Sequence, residues 1–148
     1  MSKNSLLSCI WVAFTLVVNC GCGAGGPEIA SVEGTVTMDG KPLANATVVF
    51  SPVGGRPAGA RTDEDGHYVL NFGSGRKGAI PGINKIRVTT MSEAYEKEDG
   101  TKVNGSRETI PVEYNQATTL QFDVKSGEHN IANFDLKSGG KVIDQSGY

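Results

Sequence analysis

Apolar and polar side chains alternate with a period of two through most of this chain from Val32 onward, the signature of strands with one buried and one wet face. The alternation is clearest in the stretch from Ala60 to Phe72. A short extended segment, Ala60 to Thr62, runs into Asp63-Glu64-Asp65-Gly66, after which Tyr68, Leu70 and Phe72 alternate with His67, Val69 and Asn71. Aspartate hydrogen-bonds its own turn and Gly66 supplies positive φ, so this stretch reads as a hairpin-like corner followed by a strand, His67 to Phe72. Upstream, Val32 to Met38 is a strand closed by the turn signal Asp39-Gly40, and Thr47 to Pro52 is a second, β-branched strand that Pro52 ends.

Downstream, Ile83 to Thr90 places Ile86 and Val88 against Lys85, Arg87 and Thr89, and Thr118 to Val124 aligns Leu120, Phe122 and Val124. Lys125-Ser126-Gly127-Glu128 reads as a hairpin turn into the last strand, Ile131 to Leu136, with Phe134 and Leu136 facing in. The polar residues from Met91 to Thr109 read as one long loop. No stretch has useful helical periodicity. About seven short strands with turn signals at roughly 8–12-residue spacing predict an all-β, antiparallel, seven-stranded β-sandwich of immunoglobulin-like build.

The N-terminus follows a different rule. Leu6 to Val18 is an apolar run of 13 residues, whereas a membrane-spanning helix needs about 20 and the core of an export signal about 7–15. An export signal is therefore expected. The residues after it, Val17-Val18-Asn19-Cys20-Gly21-Cys22-Gly23, resemble a bacterial lipoprotein lipobox, in which a cysteine becomes the acylated mature N-terminus. Cys22 has the small residue Gly21 before it and is preferred; Cys20, with Val17 three residues earlier, is the alternative, and plain secretion without acylation is a third reading. The expected organisation is a signal peptide over 1–21, a Gly-rich tether over 22–28, a sandwich over 29–138 and a flexible Gly-rich tail over 139–148.

Composition narrows the function. The chain has 148 residues, a formal net charge of -2 and a pI near 5.7, so no basic face for nucleic acid is expected. All three cysteines lie in the first 22 positions, leaving the sandwich without a disulfide, a thiol nucleophile or a thiolate metal site.

Val32 to Val36, Asp39-Gly40-Lys41-Pro42-Leu43 through Phe50, Thr62 to Tyr68 and Pro81-Gly82 to Val88 together resemble the carboxypeptidase regulatory-like domain, a transthyretin-like sandwich. Ile110 to Asn115, Thr118 to Leu120 and Phe134-Asp135-Leu136 resemble its version in small bacterial envelope lipoproteins. The resemblance spans about Ser31 to Lys137 and implies a seven-stranded fold without a catalytic residue of its own. Transthyretin-like sandwiches also include a hydrolase of the urate pathway that uses histidines, an arginine and a C-terminal Tyr-Arg-Gly-Ser; this chain ends Gln145-Ser146-Gly147-Tyr148.

Candidate chemistry is sparse. Asp63 and Asp65 offer a weak calcium site, set against a purely structural turn made by Asp63, Asp65 and Gly66. His67 and His129 are the only histidines, and a zinc site needs at least three protein ligands, so two exposed strand histidines are the simpler reading. Arg56, Arg76, Lys77 and Tyr95 lie on the loops expected to carry recognition. The expectation is an exported, lipid-anchored, non-catalytic envelope module, periplasmic or on the outer surface, without a cofactor. Its partners would be the membrane, through the acyl chains, and an envelope protein or glycan. The alternative is a small transthyretin-like enzyme or ligand carrier using His67 and His129.

Overall fold

A computed structural model describes residues 26–143. The export-signal and acylation readings, with Cys20 and Cys22, lie outside the described residues. Within them the chain is all-β, with one 3-10 turn, Val112–Tyr114, as its helical content. In chain order the strands are β1 (Ser31–Met38), β2 (Lys41–Pro42), β3 (Thr47–Pro52), β4 (Ala58–Arg61), β5 (His67–Val69), β6 (Asn71–Gly73), β7 (Arg76–Lys77), β8 (Gly82–Thr89), β9 (Tyr95–Glu96), β10 (Lys102–Val103), β11 (Gln121–Val124), β12 (His129–Ile131) and β13 (Phe134–Leu136). One sheet is built on β1, which pairs with β5 and β2 along one edge and with β12 and β13 along the other. The second runs β11-β8-β3-β4-β6-β7.

The inner faces of the two sheets meet through the alternating apolar positions read from sequence. Phe50 of β3 is fully buried and lies 6.5 Å from the Tyr68 ring of β5, 6.2 Å from Phe134 of β13 and 6.0 Å from Phe122 of β11. It therefore touches both sheets. Val32, Val36, Val48, Leu70, Ile86, Val88 and Leu136 complete the layer between them. Phe134, expected to face in, is half-buried beside this cluster.

Several expectations need correction. The run from His67 to Phe72 is not one strand: it is divided at Leu70, with β5 on the β1 sheet and β6 on the other. The acidic turn consequently joins β4 to a strand in the opposite sheet and is a corner between layers, not a hairpin. Lys125 to Glu128 is not a hairpin turn either, because β11 pairs with β8 while β12 crosses to β1. The final strand is divided too, and both halves pair with β1 in parallel, so the β1 sheet is mixed where an antiparallel one was expected. The seven-strand count is not recovered as such, since two expected segments are split and four two-residue strands are added. The loop from Met91 to Thr109 contains the β9–β10 hairpin, closed at its base by the Ser92–Ser106 bridge. The start of the tail is also held: Lys141 O accepts from Val112 N at 2.8 Å.

The split in the last strand has a local cause. Where β12 gives way to β13, Ala132 O leaves the ladder and turns into the core. It occupies the space a Gly34 side chain would need, for a Cβ there would sit 1.9 Å from it. Tyr68, directly opposite Gly34 in the β1–β5 register, reaches across the glycine and donates its hydroxyl to that oxygen at 2.6 Å. On the outer side of the same break, Asn133 Oδ1 accepts from Thr35 N at 2.9 Å, so the interrupted ladder loses no buried partner. Burial raises the Tyr68 phenol well above its ordinary value near 10.

Tyr68→Phe leaves a buried carbonyl without a donor and is expected to cost about 1–3 kcal/mol in urea unfolding. Gly34→Ala is expected to cost more, because a backbone oxygen cannot move aside. With the folded phenol titrating above the unfolded one, its stabilisation is complete below about pH 10 and declines as pH rises past it; Tyr68→Phe removes that decline. A Tyr68→Phe chain as stable as the parent would refute this account.

Candidate functional site

The acidic turn is an assembly of backbone hydrogen bonds. Thr62, buried, donates its hydroxyl to Leu43 O at 2.7 Å and accepts from Ala46 N at 2.9 Å, fixing the start of the turn on the loop before β3. Asp63 Oδ1 then accepts from Asp65 N at 3.0 Å and from His67 N at 2.8 Å. Gly66 holds φ at 74°, and a Cβ there would lie 2.4 Å from Val36 O. One oxygen of Asp63 is thus committed to the turn. Among the described residues no three His, Cys, Asp or Glu side chains are arranged to hold a metal ion.

The structure does bring the two histidines to one carboxylate. On the outer face of the β1 sheet, His129 Nε2 lies 2.9 Å from Glu33 Oε1 and His67 Nε2 lies 3.9 Å from Glu33 Oε2. Their Nδ1 atoms face Ser31 Oγ at 3.0 Å and Asp63 Oδ2 at 3.8 Å. Glu33 was not singled out in the sequence; its outward position opposite β5 and β12 follows only from the pairing. The row lies on an open sheet face, and exposed ion pairs of this kind contribute about 0–1 kcal/mol each.

The recognition-loop residues divide into two places. Arg56, in the β3–β4 loop, and Arg76, on β7, each set a guanidinium carbon 5.5 Å from the centre of the Phe72 ring, with Lys77 beside Arg76. Tyr95 lies apart from them, exposed on the β9–β10 hairpin. That hairpin is anchored by Glu108, which sequence reading did not distinguish from its solvated neighbours. The buried Glu108 carboxylate accepts from the Thr89 hydroxyl, from Thr90 N at 3.0 Å, from the Thr90 hydroxyl at 2.8 Å and from Ile110 N at 3.1 Å. Burial alone would raise its pKa, but these donors outweigh it and hold the carboxyl below its ordinary value near 4.5.

A groove unforeseen from the sequence lies on the outer face of the β3–β8 pair. Two adjoining cavities of about 350 and 270 Å³ share Arg87, Asn115 and Gln116. Lys85 and Ser51 extend the first, and Glu108 and Thr89 the second. Arg87 and Lys85 were legible as the wet positions of a strand, whereas Asn115 and Gln116 come from the segment that folds back over it. Two cations beside amide and hydroxyl groups suit an anionic or carbonyl-rich ligand.

No protein-family profile and no curated protein matches this chain. Among solved structures it is similar to a 9R-lipoxygenase from Cyanothece PCC8801, at 15% identity and a TM-score of 0.39 over 74% of this chain. The chain spans 16% of that protein's length, and the likeness carries no argument about fold or function.

Three outcomes test the roles assigned to these carboxylates. Asp63→Ala is expected to destabilise by about 1–2 kcal/mol through loss of the turn bonds, with Asp63→Asn largely restoring them. Millimolar calcium should leave the thermal midpoint of the parent chain unchanged; a rise that depends on Asp63 and Asp65 would reinstate a cation site. Because Glu108 titrates lower in the folded chain than in the unfolded one, its stabilisation is present above about pH 4.5 and is lost as pH falls through the lower folded value. Glu108→Gln is expected to remove that part of the acid slope and to cost about 1–3 kcal/mol at pH 7.

Proposed function

We propose that this chain is an exported, lipid-anchored and non-catalytic module of the bacterial cell envelope, a seven-stranded transthyretin-like sandwich that binds a partner through its outer surface. The observation that carries the binding reading is the groove over β3 and β8. It is concave, it rests on the inner strands of a sheet, and its lining of Arg87, Lys85, Gln116 and Ser51 supplies recognition groups, while the Glu108 carboxylate beside the Thr89 hydroxyl is taken up by structural bonds from Thr90 and Ile110. An envelope glycan or protein presenting carboxylate or carbonyl groups has the matching chemistry. Anchoring rests on the lipobox-like cysteines and the Gly-rich residues that precede Pro27. Two or more acyl chains are enough for stable attachment, each buried methylene contributing about 0.8 kcal/mol.

A second reading, a small enzyme or ligand carrier using His67 and His129, draws on their convergence at Glu33. Against it stands the openness of that sheet face, which gives a substrate no walls and the carboxylate no shelter from water. The readings separate in variants: a module retains its binding in His67→Ala and His129→Ala and loses it in Arg87→Gln, and an enzyme or carrier does the reverse.

The anchor is tested by the intact mass of the protein from its native membrane fraction. A chain beginning at Cys22 with added acyl groups is expected, and this mass should vanish in Cys22→Ala and persist in Cys20→Ala. An unacylated mature chain in the soluble fraction would overturn the anchored reading.

A further inference from the structure

The register places a defined set of loops at the end of the sandwich where the chain enters. Ala30 exchanges backbone hydrogen bonds with Ala79, both at 3.0 Å, so the first described residues are stitched directly after β7. Arg76 Nη2 donates to Pro27 O, and a Cβ on Gly26 would meet Arg76 Nη1 at 2.8 Å. Arg56 reaches the same corner, with its Nη2 2.8 Å from the Cβ position of Gly73. Phe72 lies between these segments as the platform for both guanidinium groups.

At this end the ladder also sets Pro52 opposite Asn84, so Val53 and Ile83 fall together. Val53 is 96% exposed where the β3–β4 loop begins and Ile83 is 58% exposed. Three carboxylates lie at this end: Glu28, which accepts from the Ser126 hydroxyl, Asp123, paired with Lys125, and the exposed Glu128. Among the described residues no carboxylate is in ion-pair contact with Arg56, Arg76 or Lys77. Asp39 and the acidic turn lie toward the opposite end, where β1 finishes and β3 begins. A chain of net charge -2 therefore gathers three cations and an exposed valine where its N-terminal segment leaves the domain.

We propose that this end is a docking face for an anionic lipid surface, with Arg56, Arg76 and Lys77 meeting headgroup phosphates and Val53 reaching beneath them. The orientation rests on the anchored reading above, because only three residues lie between Cys22 and Gly26. Fully extended, the four steps from Cys22 to Gly26 span about 14 Å at most. Full extension would be nearly two Debye lengths at physiological ionic strength, about 8 Å each, so a chain acylated at Cys22 feels the lipid charge at these cations when the tether is short of full extension, and salt weakens that attraction. Acyl chains and a basic patch are complementary membrane signals. Docking in this pose turns the acidic turn away from the membrane.

The test uses the full chain exported and processed in its host, with one reporter thiol. Every native cysteine lies at or before position 22, so Val53→Cys places a thiol in the folded domain, and Asp65→Cys places one at the opposite end. Each thiol carries an environment-sensitive dye, and the protein is mixed with phosphatidylcholine vesicles or with vesicles containing about 30% phosphatidylglycerol and a headgroup-region quencher. Quenching at 53 but not at 65 is expected in the anionic vesicles only, weakening as salt rises. The Arg56→Gln/Arg76→Gln/Lys77→Gln variant should lower the docked-to-undocked ratio roughly a hundredfold, at about fivefold per cation. Pelleting with neutral vesicles reports the anchor separately. A chain that pellets with both vesicle types yet quenches equally at 53 and 65 overturns docking and leaves the anchor standing. One that pellets only with anionic vesicles, in a salt-sensitive and arginine-dependent way, supports docking and overturns the anchor. One that binds neither overturns both.

Discussion

A phenol reaching over a glycine to a stray carbonyl is the constraint on which the fold turns. β1 is shared by four other strands, and both of its edges are interrupted near the same residue. On one side β12 and β13 keep a common register with β1 but break at Ala132 and Asn133. On the other, β5 holds only three residues before the chain leaves at Leu70 for the opposite sheet. Gly34 makes this possible, because Ala132 O fills the place of its side chain and the Tyr68 hydroxyl caps that oxygen. A bulky residue at 34 would push the last strand off the spine, and a chain lacking the tyrosine would bury the carbonyl unsatisfied. The mixed pairing of this sheet and the stapling of its layers through Tyr68 and Phe50 follow from that crossing.

The sequence makes inward and outward positions legible, and it leaves partners hidden. Tyr68, Leu70 and Phe72 are all buried, as their alternation predicts, even though the strand changes sheets between them. A period of two survives such a switch, since each residue still turns one side to the shared core; nothing in His67 to Phe72 marks Leu70 as the crossing point. The turn at Lys125 to Glu128 misleads for a related reason. Its residues satisfy a reversal, but whether the next strand pairs with the preceding one or crosses depends on Asn130, whose side chain binds Lys125 O, Glu128 O and Ser31 O and so ties the turn to β1. The bond to Ser31 spans 99 residues, which local pattern cannot carry.

The same distinction separates candidate sites that were visible from those that were not. Asp63 was readable because its role is local: it binds amides two and four residues on. Glu108 looks like any charge in a polar stretch until the fold buries it among donors from Thr89 and Thr90. Glu33 likewise becomes the meeting point of both histidines only after β5 and β12 are set on either side of β1. Local chemistry announces itself in sequence, and chemistry assembled by pairing does not.

Asp135 shows how the end away from the N-terminal segment is kept rigid. Its carboxylate accepts from the Lys137 ammonium, from the Thr37 hydroxyl at 2.7 Å and from Gly40 N at 3.1 Å, which together hold it down to about 2. Asp39 Oδ1 accepts from Ser138 N at 3.1 Å, closing the β1–β2 turn against the end of β13. These carboxylates are bound to their own turns as structural acceptors. The arginines at the other end stack on a ring and leave their charge without a carboxylate. The two ends thus differ in kind: at one, Asp39, Asp63 and Asp135 are held by internal bonds, and at the other Arg56, Arg76 and Lys77 have, among the described residues, no carboxylate in ion-pair contact and can attract an external anion. That difference, more than net charge, gives the molecule a direction.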